Sequence, residues 1–95
     1  MTTIAALPTG TRARRLRLLA GVIELAGGKV REFVATDRIA EAVGGELALS
    51  RDDLVNELEL LDGERLLTAH RSLAGLNGVF VTPEGKSAAE TFDQA

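Results

Sequence analysis

Between Ser50 and Glu64 the chain carries Asp52, Asp53, Glu57, Glu59, Asp62 and Glu64 against a single cation, Arg51. Carboxylates at this density could move protons or ligate a metal, but both chemistries need partner groups. There is no cysteine, tyrosine or tryptophan, and His70 is the one histidine. That composition excludes disulfides, thiolate metal sites and cysteine nucleophiles, and leaves no second imidazole to complete a zinc site. No Ser/His/acid arrangement or glycine-rich phosphate loop accompanies the acids. The expectation is therefore a non-enzyme with no catalytic residue, no metal and no cofactor.

The second chemically distinctive stretch is TRARRLR, which places Arg12, Arg14, Arg15 and Arg17 in the first turns of a helix. Positive charge there opposes the helix dipole and costs some stability. Three uses are open: contact with phosphate, contact with an acidic partner, or pairing with the domain's own acids.

These groups must be positioned by a small number of elements. Residues 1–10 read as an irregular arm, 11–92 as one domain and 93–95 as a tail. Thr11 can cap a first helix whose stripes are Leu16, Leu19, Ala20 and Ile23, and Leu18, Val22 and Leu25. Gly27 and Gly28 stop it. KVREFVA alternates as a short edge strand, and Thr36 can cap a two-turn helix, DRIAEAV, with Ile39, Ala40 and Val43 inward. Ser50 opens the acidic helix in a capping-box arrangement with Asp53, and its apolar face is Leu54, Val55, Leu58 and Leu61. RLLTAHR and GVFVT are β-prone runs, with Asn77-Gly78 as the turn signal in the loop between them. Pro83 suits the first position of a last helix with an Ala88, Ala89 and Phe92 edge.

Helix, strand, helix, helix, strand, loop, strand, helix is the order of an α+β winged helix-turn-helix. TDRIAEAVG resembles the first helix of a helix-turn-helix pair, and LVNELELLDGERLL resembles its second helix running into the first wing strand. VFVTPEGKSAAE is similar to the wing exit and following helix of bacterial MarR-like and PadR-like regulators. This resemblance covers roughly residues 12–90 and implies a DNA-binding fold that is often dimeric.

The charge distribution pulls against that implication. The chain carries a net charge of −3, and its halves differ: seven basic against five acidic side chains in 1–49, four against nine in 50–95. Asp52, Asn56 and Glu59 lie opposite the acidic helix's apolar face, with Asp53 and Leu60 at its flank. In a major groove those acids would meet a duplex bearing one negative charge per ~1.7 Å. The expectation therefore goes against groove insertion by this helix.

Two functions follow. In the first, Arg12, Arg14, Arg15, Arg17 and the wing residue Arg71 contact phosphates of DNA, with Arg51 and Asn56 as candidate base readers. In the second, the chain is an interaction module for a basic protein, or part of a phage or larger assembly. It would work through Asp52, Asp53, Glu59 and Leu60, or through Leu73, Leu76 and Phe92, which could instead be core or half of a homodimer contact. No apolar run reaches bilayer-spanning length, and MTTIAALPTG lacks the basic start of a signal peptide, so the cytoplasm is the expected location. The Arg-over-Lys bias suggests a bacterial or phage source of high GC content.

Overall fold

The computed structural model describes residues 11–94; the N-terminal arm lies outside the described residues, as do the side chains from Phe92 onward. Helix α1 spans Thr11–Leu25, strand β1 Phe33–Ala35, and helix α2 Thr36–Ile39, which continues as a π-helical turn over Ala40–Gly44. Helix α3 spans Arg51–Gly63, strands β2 and β3 span Leu67–Ser72 and Gly75–Val81, and helix α4 spans Pro83–Gln94. The strands form one antiparallel sheet of order β1-β3-β2. The fold is the expected α+β winged helix: α2 and α3 are the helix-turn-helix pair and β2-β3 the wing.

Both stripes of α1 turn inward, with Leu18, Leu19, Val22 and Ile23 buried and Leu16, Ala20 and Leu25 packed half-buried against them. Gly21 lets α1 cross the π-helical turn closely, since a Cβ there would come 2.7 Å from Val43 Cγ1. The helix ends as its glycines dictate. Gly28 N–H donates to Ile23 O (2.9 Å) and Gly27 N–H to Glu24 O (3.0 Å), the paired bonds of a Schellman motif.

In α3 the Ser50 hydroxyl accepts from Asp53 N–H at 3.2 Å, the cap read from the sequence. Leu54, Leu58 and Leu61 are buried beneath it and Val55 is half-buried. They meet Leu18, Leu19, Ile39, Leu67, Val79 and Val81 in one continuous core.

Three local expectations are corrected. The β1 strand is only three residues, because Arg31 adopts a left-handed φ of 71° and breaks the extended run before Phe33. Thr36 does not cap α2: its buried hydroxyl donates to Leu76 O (3.1 Å), tying the helix-turn-helix to the wing. Asn77-Gly78 is not the turn. A bulge between His70 and Arg71 shifts the register so that Ser72 pairs with Gly75, leaving Leu73-Ala74 as the tip. Asn77 instead accepts from the Ser72 hydroxyl (3.1 Å) across the strands. Gly78 is needed for close approach: a Cβ there would lie 2.5 Å from both Phe33 Cζ and Val34 O.

Candidate nucleic-acid interface

The arginines and the acids of α3 find each other. On α1, Arg15 Nε donates to Glu57 (2.8 Å) and its Nη1 to Glu64 (3.3 Å), while Arg12 also holds Glu64. Arg12 and Arg15 are one turn apart on α1, as Glu57 and Glu64 are two turns apart on α3, so the four lock the helices side by side. Arg17 pairs with Glu46 of the α2–α3 connection at 2.8 Å, and Arg51 at the start of α3 pairs with Asp37 of α2 at 2.5 Å. On β2, Arg71 spans Glu59 and Asp62, both at 3.2 Å. Asp62 also accepts from Ala69 N–H (3.0 Å), so one carboxylate clamps the start of the wing to α3.

Burial decides how much these contacts stabilise. Arg15 and Glu57 are each 16% exposed, so their pair is poorly screened and is the strongest of the set. The Glu57 hydrogen bond holds the Arg15 guanidinium pKa above its ordinary value, against the opposing effect of burial. Arg71 shifts the same way through its bonds to Asp62 and then Glu59, but it is solvent-exposed and contributes little.

The hydrogen bond from Arg12, with a smaller contribution from Arg15, holds the Glu64 carboxyl below its ordinary 4.5. A depressed carboxyl stabilises the fold above its unfolded-state pKa, and that contribution is lost as pH falls through the folded value. The melting temperature should therefore decline as pH drops below about 4.5, and Glu64→Gln should flatten part of that decline. Melts of the two proteins from pH 7 to pH 3 check this; identical acid limbs would show that the pair is energetically silent.

The remaining sequence-derived residues divide by position. Arg14 has no ion-pair partner among the described residues. Asn56, Asp52 and Asp53 are exposed on α3, and Leu60 is 42% exposed beside them. Leu73 stands fully out at the wing tip, whereas Leu76 is buried and belongs to the core, so it offers no surface. Phe92's side chain lies outside the described residues. Of the exposed cations that no sequence motif singles out, Arg38 lies within the helix-turn-helix, on α2 and without an ion-pair partner among the described residues. The signal was available, since Arg38 is the one cation in the helix-turn-helix's first helix.

Among the described residues no group of three His, Asp or Glu side chains is placed to hold a metal ion, and no helix is long and apolar enough to cross a membrane. No family model matches the chain, and no curated protein matches it. Two solved structures do. MepR of Staphylococcus aureus, a transcription regulator of the multidrug efflux pump MepA, is 16% identical with a TM-score of 0.59. That match covers 85% of this chain and 54% of that one. BpsR of Bordetella bronchiseptica, described through the regulation of its DNA binding by 6-hydroxynicotinic acid, is 18% identical with a TM-score of 0.59. It covers 97% of this chain and 64% of that one. The chain thus spans less than two-thirds of either regulator's length. Identity at this level speaks for architecture, and in architecture the chain is a winged-helix protein.

Proposed function

We propose that the chain is a small winged-helix DNA-binding protein of the transcription-regulator type, holding duplex DNA mainly through phosphates. The observation that carries this reading is the α2–α3 helix pair closed by the β2-β3 wing, superposable on two regulators, one of them described by its DNA binding. Arg14 is the α1 cation that meets phosphate without giving up an acid; Arg12, Arg15 and Arg17 exchange Glu64, Glu57 and Glu46 for it. Arg51 and Arg71 flank the outer face of α3, and Asn56 is the neutral side chain there able to read a base edge.

Because each exchange breaks an internal pair, affinity is modest and depends steeply on salt. With about four phosphates neutralised, binding should weaken by roughly two orders of magnitude between 50 and 200 mM salt. Fluorescence anisotropy on random duplex DNA measures this. No binding at micromolar protein in low salt would sink the proposal.

A second reading has its own observation. Asp52 and Asp53 have no basic partner among the described residues, and they stand beside exposed Leu60 on the same helix. That surface suits a basic protein, and the wing-tip Leu73 adds an apolar contact. Substituting Asp52, Asp53 and Glu59 by their amides should then release bound partners, while it should strengthen duplex binding under the first reading. The sign of the change separates the two.

A further inference from the structure

The outward face of the sheet carries rings. Register places Phe33 and Ala35 of β1, Gly78 and Phe80 of β3, and Thr68 and His70 of β2 on one side, with Val34, Val79, Val81 and Leu67 buried on the other. Phe33 and Phe80 lie 5.2 Å apart, and His70 stands edge-on to them at 6.0 and 6.2 Å. Phe33 is 42% exposed, His70 is exposed and Phe80 half-buried. The chain has three phenylalanines and one histidine, and two of the former and the latter meet here. Gly78 makes this possible, since any side chain at that position would collide with the Phe33 ring.

Basic residues gather at one end of the sheet. Arg31 N–H donates to Val81 O (2.7 Å), Arg65 O accepts from the Thr82 hydroxyl (2.9 Å), and Lys86 N–H donates to Thr82 O (3.0 Å). The backbones of three basic residues are thus held around the end of β3, just beyond Phe80, and none has an ion-pair partner among the described residues. This contrasts with the arginines facing α3, which are nearly all neutralised. Glu32, Glu64 and Glu84 are the carboxylates nearest in the chain, and Glu64 is engaged by Arg12 and Arg15, so the basic charge is only partly offset. Arg31 and Arg65 are also two of the three non-glycine residues with positive φ among the described residues, 71° and 66°. Glycine would fit both positions with less strain, so arginine is carried there at a cost.

The geometry points to a binding site for single-stranded nucleic acid on this face: Phe33, Phe80 and His70 stack unpaired bases, and Arg31, Arg65 and Lys86 hold the adjoining phosphates. Stacking on exposed rings beside a basic track is how sequence-tolerant single-strand binding is built. A second copy of the chain is the poorer occupant. Three rings, one of them half-buried, fall short of the roughly 800 Å² per partner of a stable interface, and the unpaired cations call for an anion. Among the ring and basic residues only His70 adjoins a proposed duplex contact, Arg71, and the site does not rest on that proposal.

The test is fluorescence anisotropy with labelled single-stranded oligothymidylate and oligouridylate, an abasic oligonucleotide of equal length, and a matched duplex. The wild-type protein should bind one or both base-bearing strands, the preferred arm identifying DNA or RNA, and the abasic strand at least tenfold more weakly. Phe33→Ala should weaken strand binding about tenfold. Arg65→Gly should weaken it several-fold and lower the salt slope by about 0.7, while its melting temperature stays level or rises because glycine relieves the strained φ. Duplex binding should be unchanged in both variants, which separates a failure here from a failure of the regulator reading. Several results would overturn the site: no strand binding at micromolar protein in low salt, equal binding of the abasic strand, or affinity unmoved by either variant. A dimer that Phe33→Ala dissociates, without strand binding, would assign the face to self-association instead.

Discussion

Replacing Gly85 by alanine should destabilise the protein by about 3 kcal/mol or more, a single added methyl group with the effect of a large core deletion. Gly85 sits in the first turn of α4, where its N–H donates to the Thr82 hydroxyl at 2.9 Å. A Cβ at this position would stand 2.9 Å from the Leu66 carbonyl carbon and 3.1 Å from Thr82 Oγ1, with the Leu66 carbonyl oxygen closer still. The two nearest obstacles are main chain, and the main chain there cannot yield. Leu66 N–H is bonded to Leu61 O at 2.9 Å and Arg65 N–H to Asp62 O at 3.0 Å, closing α3. Thr82 is bonded to Arg65 O from the other side. The whole of α4 must therefore lift away from the α3–β2 corner. At the usual conversion for a chain of this size, the melting temperature should drop by ~12 °C or more. Gly63→Ala is the control with the opposite sign. Gly63 ends α3 with open space where its Cβ would stand, so alanine should gain about 0.5 kcal/mol. A Gly85→Ala protein melting within a degree or two of wild type would show that the close approach is not real.

This glycine marks the boundary of what a sequence shows. Periodicity and caps are local, so Leu54, Leu58 and Leu61, the Ser50 cap, the Gly27-Gly28 stop and Pro83 at the head of α4 were all legible. Element order then carried the winged helix. What stayed hidden depends on distant chain segments meeting. Gly85 inside a helical run reads as a weakness, and its reason is Leu66. Asn77-Gly78 reads as a hairpin turn, and the bulge after His70 moves the turn elsewhere while Phe33 claims the space over Gly78. Thr36 reads as a cap, and Leu76 O draws its hydroxyl away.

The interface was legible in kind and not in pairing. An arginine cluster and an acidic helix were both visible, and pairing between them was one of three uses open to those arginines. That Arg15 would meet Glu57, and Arg71 would meet Glu59 and Asp62, needed the helix crossing and the wing register. The ring cluster had no sequence signal at all, because Phe33, His70 and Phe80 come from three strands that meet only through their pairing register.

Leu58→Ala and Leu60→Ala, two truncations of the same residue type on one helix, should differ by several kcal/mol. At 100° per residue they point about 200° apart, and the structure puts Leu58 at 0% exposure and Leu60 at 42%. Truncating Leu58 removes three heavy atoms from a spot walled by the rest of the core and leaves a cavity. The cost should be ~2–5 kcal/mol. A chain of 95 residues has a total stability on the order of 5–14 kcal/mol, so this variant could forfeit half of it. Leu60→Ala should stay within ~0.5 kcal/mol, since its side chain already meets water. Denaturant titration separates the two outcomes, and a Leu58→Ala loss below 1 kcal/mol would mean that α3 is not seated as described. The pair also keeps functional assays interpretable. If Leu58→Ala loses a partner or DNA near its melting temperature and recovers it on cooling, the loss is unfolding. If Leu60→Ala loses it with the fold intact, the outer face of α3 is a contact surface.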